Sequence, residues 1–555
     1  MKTRSSLLIA ALMLGAFGQA QTSKKPSKED KKIMNWYNDS KTGMRTDEAY
    51  KKLLKGRTSK PVVVGVIDSG VDLEHEDLKG KIWVNSDEIA GNGIDDDKNG
   101  YIDDVNGWSF LGNPDGTNAN DAQLEVTRIY ARLDKKFKGK TADDIKPEHQ
   151  KEYDRYLECK SVVEESKTKA EQRIEGYKTF LASLDEAHTK MQEKFGKDYS
   201  NKDIKSLLKS DNQDDIKLAR QAKSYQNKAE IAASLEGAFN YFQNQIDVYY
   251  NPDFTEDRDI IGDKPSDFSD KYYGNNDPEG PDAGHGTHVA GIIGANRNNA
   301  IGMDGVADNA IIMSVRTVPN GDERDKDVAL SIRYAVDNGA KVINMSFGKD
   351  YAENSPEVIK AIRHAEANDV LLVHAAGNDG KNVDVEPKFP TSMYPSMTSR
   401  FSNWLDIGAA TRFETPHYKK EKREKFYQIW KKRKKRLTHS GRAASFSNYG
   451  KKKVDVFAPG KEIYSTVPQS DYDTYQGTSM AAPMVAGVAA LLKSYFPSLS
   501  MKEIRSIILE TAVECKKEVI KPGSKEEMVD FRTLSREGAV VNVYKAVERC
   551  IELTK

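Results

Sequence analysis

Three short segments carry residue types suited to nucleophilic catalysis, in the chain order Asp, His, Ser. Asp68 closes the run Val66-Ile67-Asp68-Ser69-Gly70, and open sheets present functional groups at the carboxyl ends of their strands. His285 sits in Gly284-His285-Gly286-Thr287-His288-Val289-Ala290-Gly291, where flanking glycines allow another backbone to approach and the apolar residues beyond begin a helix. A zinc pair at His285 and His288 is the competing reading, but no Glu or third ligand stands at zinc-like spacing. Ser479, in Gly477-Thr478-Ser479-Met480-Ala481-Ala482-Pro483, falls at the first turn of a small-residue helix, beside unpaired N–H groups that are donors for an oxyanion.

These side chains need a scaffold that brings three distant positions to one place. Val62-Val63-Val64-Gly65-Val66-Ile67 is a short β-branched run, the pattern of a strand buried on both faces of a parallel sheet. The pattern returns at 311–315, 342–346, 370–374 and 454–457, with helical periodicity at Asp327 to Asn338 and Glu357 to Asn368. Alternating strands and helices predict an α/β fold with a doubly wound, mostly parallel sheet.

Residues 121–250 differ in kind, with 24 basic and 24 acidic residues and a single proline, Pro147. Ile174, Tyr177, Leu181, Leu184, His188, Met191 and Phe195 recur at spacings of three and four, the seam of a helical hairpin or coiled coil. His188 on that seam is expected to be packed or half-exposed, and not a ligand. A second interruption, 412–437, holds 12 Lys or Arg against 3 Glu, with Phe426, Tyr427 and Trp430 interleaved. It reads as a solvated basic helix or loop, with contact to an anionic polymer or surface as the sharper alternative.

In this order the Asp-Ser-Gly, His-Gly-Thr-His-Val-Ala-Gly and Gly-Thr-Ser-Met-Ala-Ala-Pro segments resemble the subtilisin-like serine proteases. Ala375-Ala376-Gly377-Asn378-Asp379 is similar to the family's oxyanion-asparagine segment, and Asn344-Met345-Ser346-Phe347-Gly348 to its substrate-binding strand. The resemblance covers roughly 58–118, 251–411 and 438–548. It implies a triad in which His285 is general base and then general acid for Ser479, while Asp68 holds the imidazole tautomer. It further implies that Asn378 and the Ser479 N–H bind the oxyanion, and that Ser346, Phe347 and Gly348 pair with an extended substrate. One departure from compact members is the long gap between Asp68 and His285, which holds the helical insertion.

A calcium site is expected in the acidic loop 95–106. Asp95, Asp97, Asn99 and Asp103 occupy loop positions one, three, five and nine of an EF-hand-like pattern, with Gly100 at six. Asn106 stands where that pattern has its bidentate Glu. By the resemblance, Asp77 and Asn299, with carbonyls near Ile301 and Met303, match a second calcium site. No organic cofactor is expected.

The N-terminus carries Lys2 and Arg4, an apolar run from Leu7 to Leu14, then Gly18-Gln19-Ala20, the three-part pattern of a secretory signal peptide cleaved after Ala20. The expected division is thus a signal at 1–20, an extension at 21–57 and a peptidase domain at 58–548, interrupted by 121–250 and 412–437. The extension is too short for the separate inhibitory prodomain common in the family, although Trp36 to Lys55 could form a short helical cover. No other stretch is apolar enough to span a bilayer. Lys plus Arg and Asp plus Glu are both 85, so no charge excess points to nucleic acid. Cys159, Cys515 and Cys550 allow at most one disulfide. The sequence therefore reads as an exported, periplasmic or extracellular, calcium-stabilised serine endopeptidase acting on protein and peptide substrates. The competing class is a binding or scaffold protein that works through its two insertions.

Overall fold

A computed structural model describes Ser27, residues 30–420 and residues 435–555. The segment 1–20, expected from sequence to be a signal, and the centre of the basic interruption, 421–434, lie outside the described residues. Two compact units are present among the described residues, Val126–Phe254 and the remainder on either side of it.

The larger unit is built on a nine-stranded sheet. Strands β1 (Val62–Asp68), β2 (Gly107–Ser109), β3 (Ala310–Arg316), β4 (Val342–Met345), β5 (Leu371–Ala375) and β6 (Trp404–Ala410) are followed at the edge by Val456–Pro459, Ala539–Val540 and Val513–Glu514. Spatially the order is β2, β3, β1, β4, β5, β6 and then those three. Only the last pairing, Val513 with Val540, is antiparallel. β1 lies between β3, with Asp68 opposite Arg316, and β4, with Ile67 opposite Met345. The α/β reading is borne out.

Alternation along β1 serves two cores. Val62, Val64 and Val66 pack with the helices Gly284–Gly294 and Thr478–Tyr495 on one face. Ile67 joins the other face with the helices Asp325–Asp337 and Ser355–Ala367. Gly65 lets that second packing be close, since a Cβ there would stand 3.1 Å from the Ala335 methyl. Asp68, Ser346 and Asn378 follow the carboxyl ends of β1, β4 and β5, the crevice side of such a sheet.

The segment before β1 is part of this core and not a cover laid over it. Trp36, Tyr37, Met44, Ala49 and Leu54 are buried in the same cluster as Val64 and Val289. The Trp36 indole donates to the Glu462 carbonyl at 2.9 Å, and Tyr37 and Asn38 donate to the Asp304 carbonyl at 3.0 and 2.8 Å.

The smaller unit is helical. Gln150–Phe195 is one helix of 46 residues. The chain returns along it through Asn201–Leu207, Gln213–Tyr225 and Lys228–Asn244, as the pairs Lys194 with Asp215, Asp185 with Lys228, and Tyr177 with Phe242 show. Ile174, Leu184 and Met191 of the seam are buried, while Phe195 at its end is 36% exposed. His188 is packed, stacked on Tyr225 at 4.0 Å and bonded to the Tyr199 hydroxyl at 2.9 Å.

Candidate active site

Asp68 emerges from β1 with its side chain 2% exposed, and its Oδ1 accepts from His285 Nδ1 at 2.6 Å and from the Ser69 N–H at 2.8 Å. The imidazole lies at the start of the helix Gly284–Gly294. Gly286 makes that approach possible, because a Cβ there would stand 2.0 Å from the Gly70 carbonyl oxygen and 3.2 Å from Asp68 Cβ. Burial works to lower the His285 pKa, but the Asp68 charge and hydrogen bond more than offset it, and the net shift is upward from 6.5.

His288, nearly one turn on, has different partners. It is buried beneath the hairpin Ile463–Val467 and Asp471–Tyr475, stacked on Tyr475 at 4.3 Å, with Nε2 donating to the carbonyls of Ile463 and Asp473. Burial and the neighbouring His285 push its pKa down to about 3, so it is a neutral packing residue. Among the described residues neither histidine belongs to a cluster of metal-ligating side chains.

Ser479 begins the helix Thr478–Tyr495 and is clamped to the end of β4 by reciprocal bonds. Its hydroxyl donates to the Ser346 carbonyl at 3.1 Å, and the Ser346 hydroxyl donates to the Ser479 carbonyl at 2.8 Å. Asn378 follows β5, and its Oδ1 accepts from the Thr478 N–H at 2.8 Å and the Thr478 hydroxyl at 3.0 Å. With its oxygen held there, Asn378 has its amide N–H groups left to offer. Ser346, Phe347, Gly348, Asn378 and Ser479 line one cavity of about 230 Å³. Asp379 and Lys388 line it too, although sequence reasoning gave neither a role. Asp379 stood in a recognised segment, whereas Lys388 carries no motif.

In the acidic loop, carboxylate oxygens of Glu88, Asp95 and Asp97 lie within 4.8 Å of one another. Among the described residues no Lys or Arg pairs with them, so the donor set suits a hard cation. Asn99 adjoins them, donating to Asp97 at 3.0 Å and to Asp104 at 3.1 Å. Asp103 is not in that group, and its carboxylate accepts from the N–H groups of Asn92 and Gly93 at 3.2 and 2.9 Å. Glu88, seven residues before the loop, was missed because EF-hand spacing counts only forward from Asp95. Asp77 and Asn299 also meet, the Asn299 amide donating to Asp77 at 2.6 Å. Burial raises the Asp77 carboxyl to about 6, and among the described residues no cationic side chain is bonded to it. That too fits a cation held by oxygen ligands.

Residues 59–539 match the subtilase family. The chain is 38% identical over 229 residues to the thermophilic serine proteinase of Bacillus sp. strain AK1, covering 41% of this chain and 46% of that protein. It is 33% identical over 273 residues to the cell wall-associated protease of Bacillus subtilis strain 168, covering 49% and 26%. With thermitase of Thermoactinomyces vulgaris the identity is 36% over 230 residues, covering 41% and 67%. The chain thus spans about half the length of the first, a quarter of the second and two thirds of the third. A match through most of the sequence, on a mostly parallel sheet whose edge meets an aspartate-bound histidine and, beside an asparagine-lined cavity, a serine in the first turn of a helix, makes this chain a member of the subtilase family.

Proposed function

We propose that the protein is an exported serine endopeptidase that cleaves protein and peptide substrates through an acyl-enzyme. The observation that carries the reading is the 2.6 Å bond from His285 Nδ1 to a buried Asp68, which leaves Nε2 as the proton acceptor. Ser479 turns its hydroxyl from the Ser346 carbonyl to Nε2. As Oγ bonds to the substrate carbonyl carbon, its proton passes to His285, and Asp68 stabilises the imidazolium. The carbonyl oxygen takes up the negative charge and is met by the Asn378 amide and the Ser479 N–H. The C–N bond then breaks, His285 returns the proton to the leaving amine, and water, deprotonated by the same histidine, releases the acyl group. Residues Ser346, Phe347 and Gly348, just past the end of β4, would pair through their backbone with an extended substrate.

Calcium would stabilise the fold at the Glu88, Asp95 and Asp97 cluster and at Asp77 with Asn299. Export is supported by the leader pattern at 1–20 and by the description of one relative as cell wall-associated. No helix among the described residues is long and apolar enough to cross a membrane. Digestion of casein tests the reading against a scaffold role: wild type cleaves and Ser479→Ala does not, whereas equal inactivity of both leaves a binding protein.

A further inference from the structure

The cavity beside Ser479 ends on charge. Lys388 reaches it because Phe389 exchanges two backbone hydrogen bonds of 2.9 Å with Lys349, directly after Gly348. Its ammonium bonds to Asp350 at 2.6 Å and to Asp379 at 2.9 Å. The Lys388 side chain is 13% exposed and Asp350 is 54% exposed. The cation and Asp379 therefore belong to the cavity, while the Asp350 charge is screened by water. Burial works to lower the Lys388 pKa, and the two carboxylates more than offset it, so the group stays charged. An ammonium has three N–H donors, and two are committed to these carboxylates.

On the peptidase reading above, the substrate residue whose carbonyl Ser479 attacks projects its side chain into this cavity. We propose that Lys388 selects that side chain, favouring one that ends in a hydrogen-bond acceptor, Glu above Gln, over one that ends in a cation. A Glu carboxylate gains a charge-assisted bond from the third N–H. A Lys or Arg side chain instead brings a second cation against a held ammonium, beside an Asp379 already engaged by Lys388 and by the Asn448 amide at 3.3 Å. Asp379 opposes the entering carboxylate, but its charge is largely cancelled by Lys388 within the same cavity. The plain alternative is that the ion pair only fastens the loop, in which case it has no bearing on which peptides are cut.

The test is kcat/KM of the full chain on quenched peptides that differ only in the residue before the scissile bond: Glu, Gln, Leu or Lys. Wild type should cleave the Glu and Gln peptides about tenfold or more faster than the Lys peptide. Lys388→Met leaves Asp379 as an unpaired anion and should invert that order, whereas Lys388→Arg should keep it. Asp379→Asn should widen the Glu to Lys ratio, and it carries the test should Lys388→Met fail to fold by circular dichroism. A Glu to Lys ratio that is the same in wild type and the variants overturns the proposal, as does a wild type that prefers Lys. If wild type cleaves none of the peptides, the peptidase reading falls and takes this one with it. Ser479-dependent cleavage with an unmoved ratio overturns the selectivity alone.

Discussion

Asp68 and His285 stand 217 positions apart in the chain and 2.6 Å apart in the fold. An entire helical unit, Val126–Phe254, is threaded between them. The pair survives that excursion because each residue is fixed locally, Asp68 by the ladder of β1 between β3 and β4, and His285 by the glycine contact of its own helix on Gly70.

The first consequence is a pH dependence. His285 serves as base only when neutral, so kcat/KM should fall as pH drops through its pKa. The Asp68 charge places that acid limb above the ordinary histidine value of 6.5. In Asp68→Asn the charge is gone and burial prevails, so residual activity on an active ester should show its limb shifted to lower pH. A limb that does not move would separate Asp68 from the titration of His285.

Asn378→Ala should lower kcat by about 10²–10³, the usual effect of losing one oxyanion donor, with little change in KM. Steady-state kinetics on a peptide substrate decide it. A change confined to KM would make Asn378 a ground-state binding residue.

The acidic loop predicts cation-linked stability. A ligand that binds only the folded state raises the melting temperature, so chelation should lower it and calcium should restore it better than magnesium. The structure further predicts which residue matters: Glu88→Gln should shrink the calcium-dependent increment in melting temperature, and Asp103→Asn should leave the increment intact. Differential scanning fluorimetry with and without calcium reads both. An unchanged melt in chelator contradicts the site.

The segment before β1 predicts a structural cost. Trp36 is 4% exposed in the main core, so Trp36→Ala should destabilise the protein by about 3–5 kcal/mol in denaturant unfolding. A loss below about 0.5 kcal/mol, the range of surface substitutions, would mean the segment is only laid against the domain.

The sheet and the catalytic candidates were legible because their signals are local. A β-branched run such as Val62 to Ile67 suits a buried strand, and Gly286 beside His285 marks a close backbone approach, to the Gly70 carbonyl. Other features depend on contacts that no spacing encodes. Trp36, Tyr37 and Met44 follow no helical or strand period, yet they fill the core. Glu88 reaches the acidic loop from an upstream turn, and Lys388 reaches the cavity through the backbone pairing of its neighbour Phe389 with Lys349. The Asp103 carboxylate falls outside the group of Glu88, Asp95 and Asp97, although a ligand-position count includes it.

The central claim is that Ser479 is a nucleophile activated by His285. Fluorophosphonate labelling of the wild type, followed by mass-spectrometric mapping of the adduct, tests it most directly. A single adduct on Ser479 is expected, absent in Ser479→Ala and strongly slowed in His285→Ala. An adduct on another serine, or labelling of Ser479 at the same rate without His285, would contradict it.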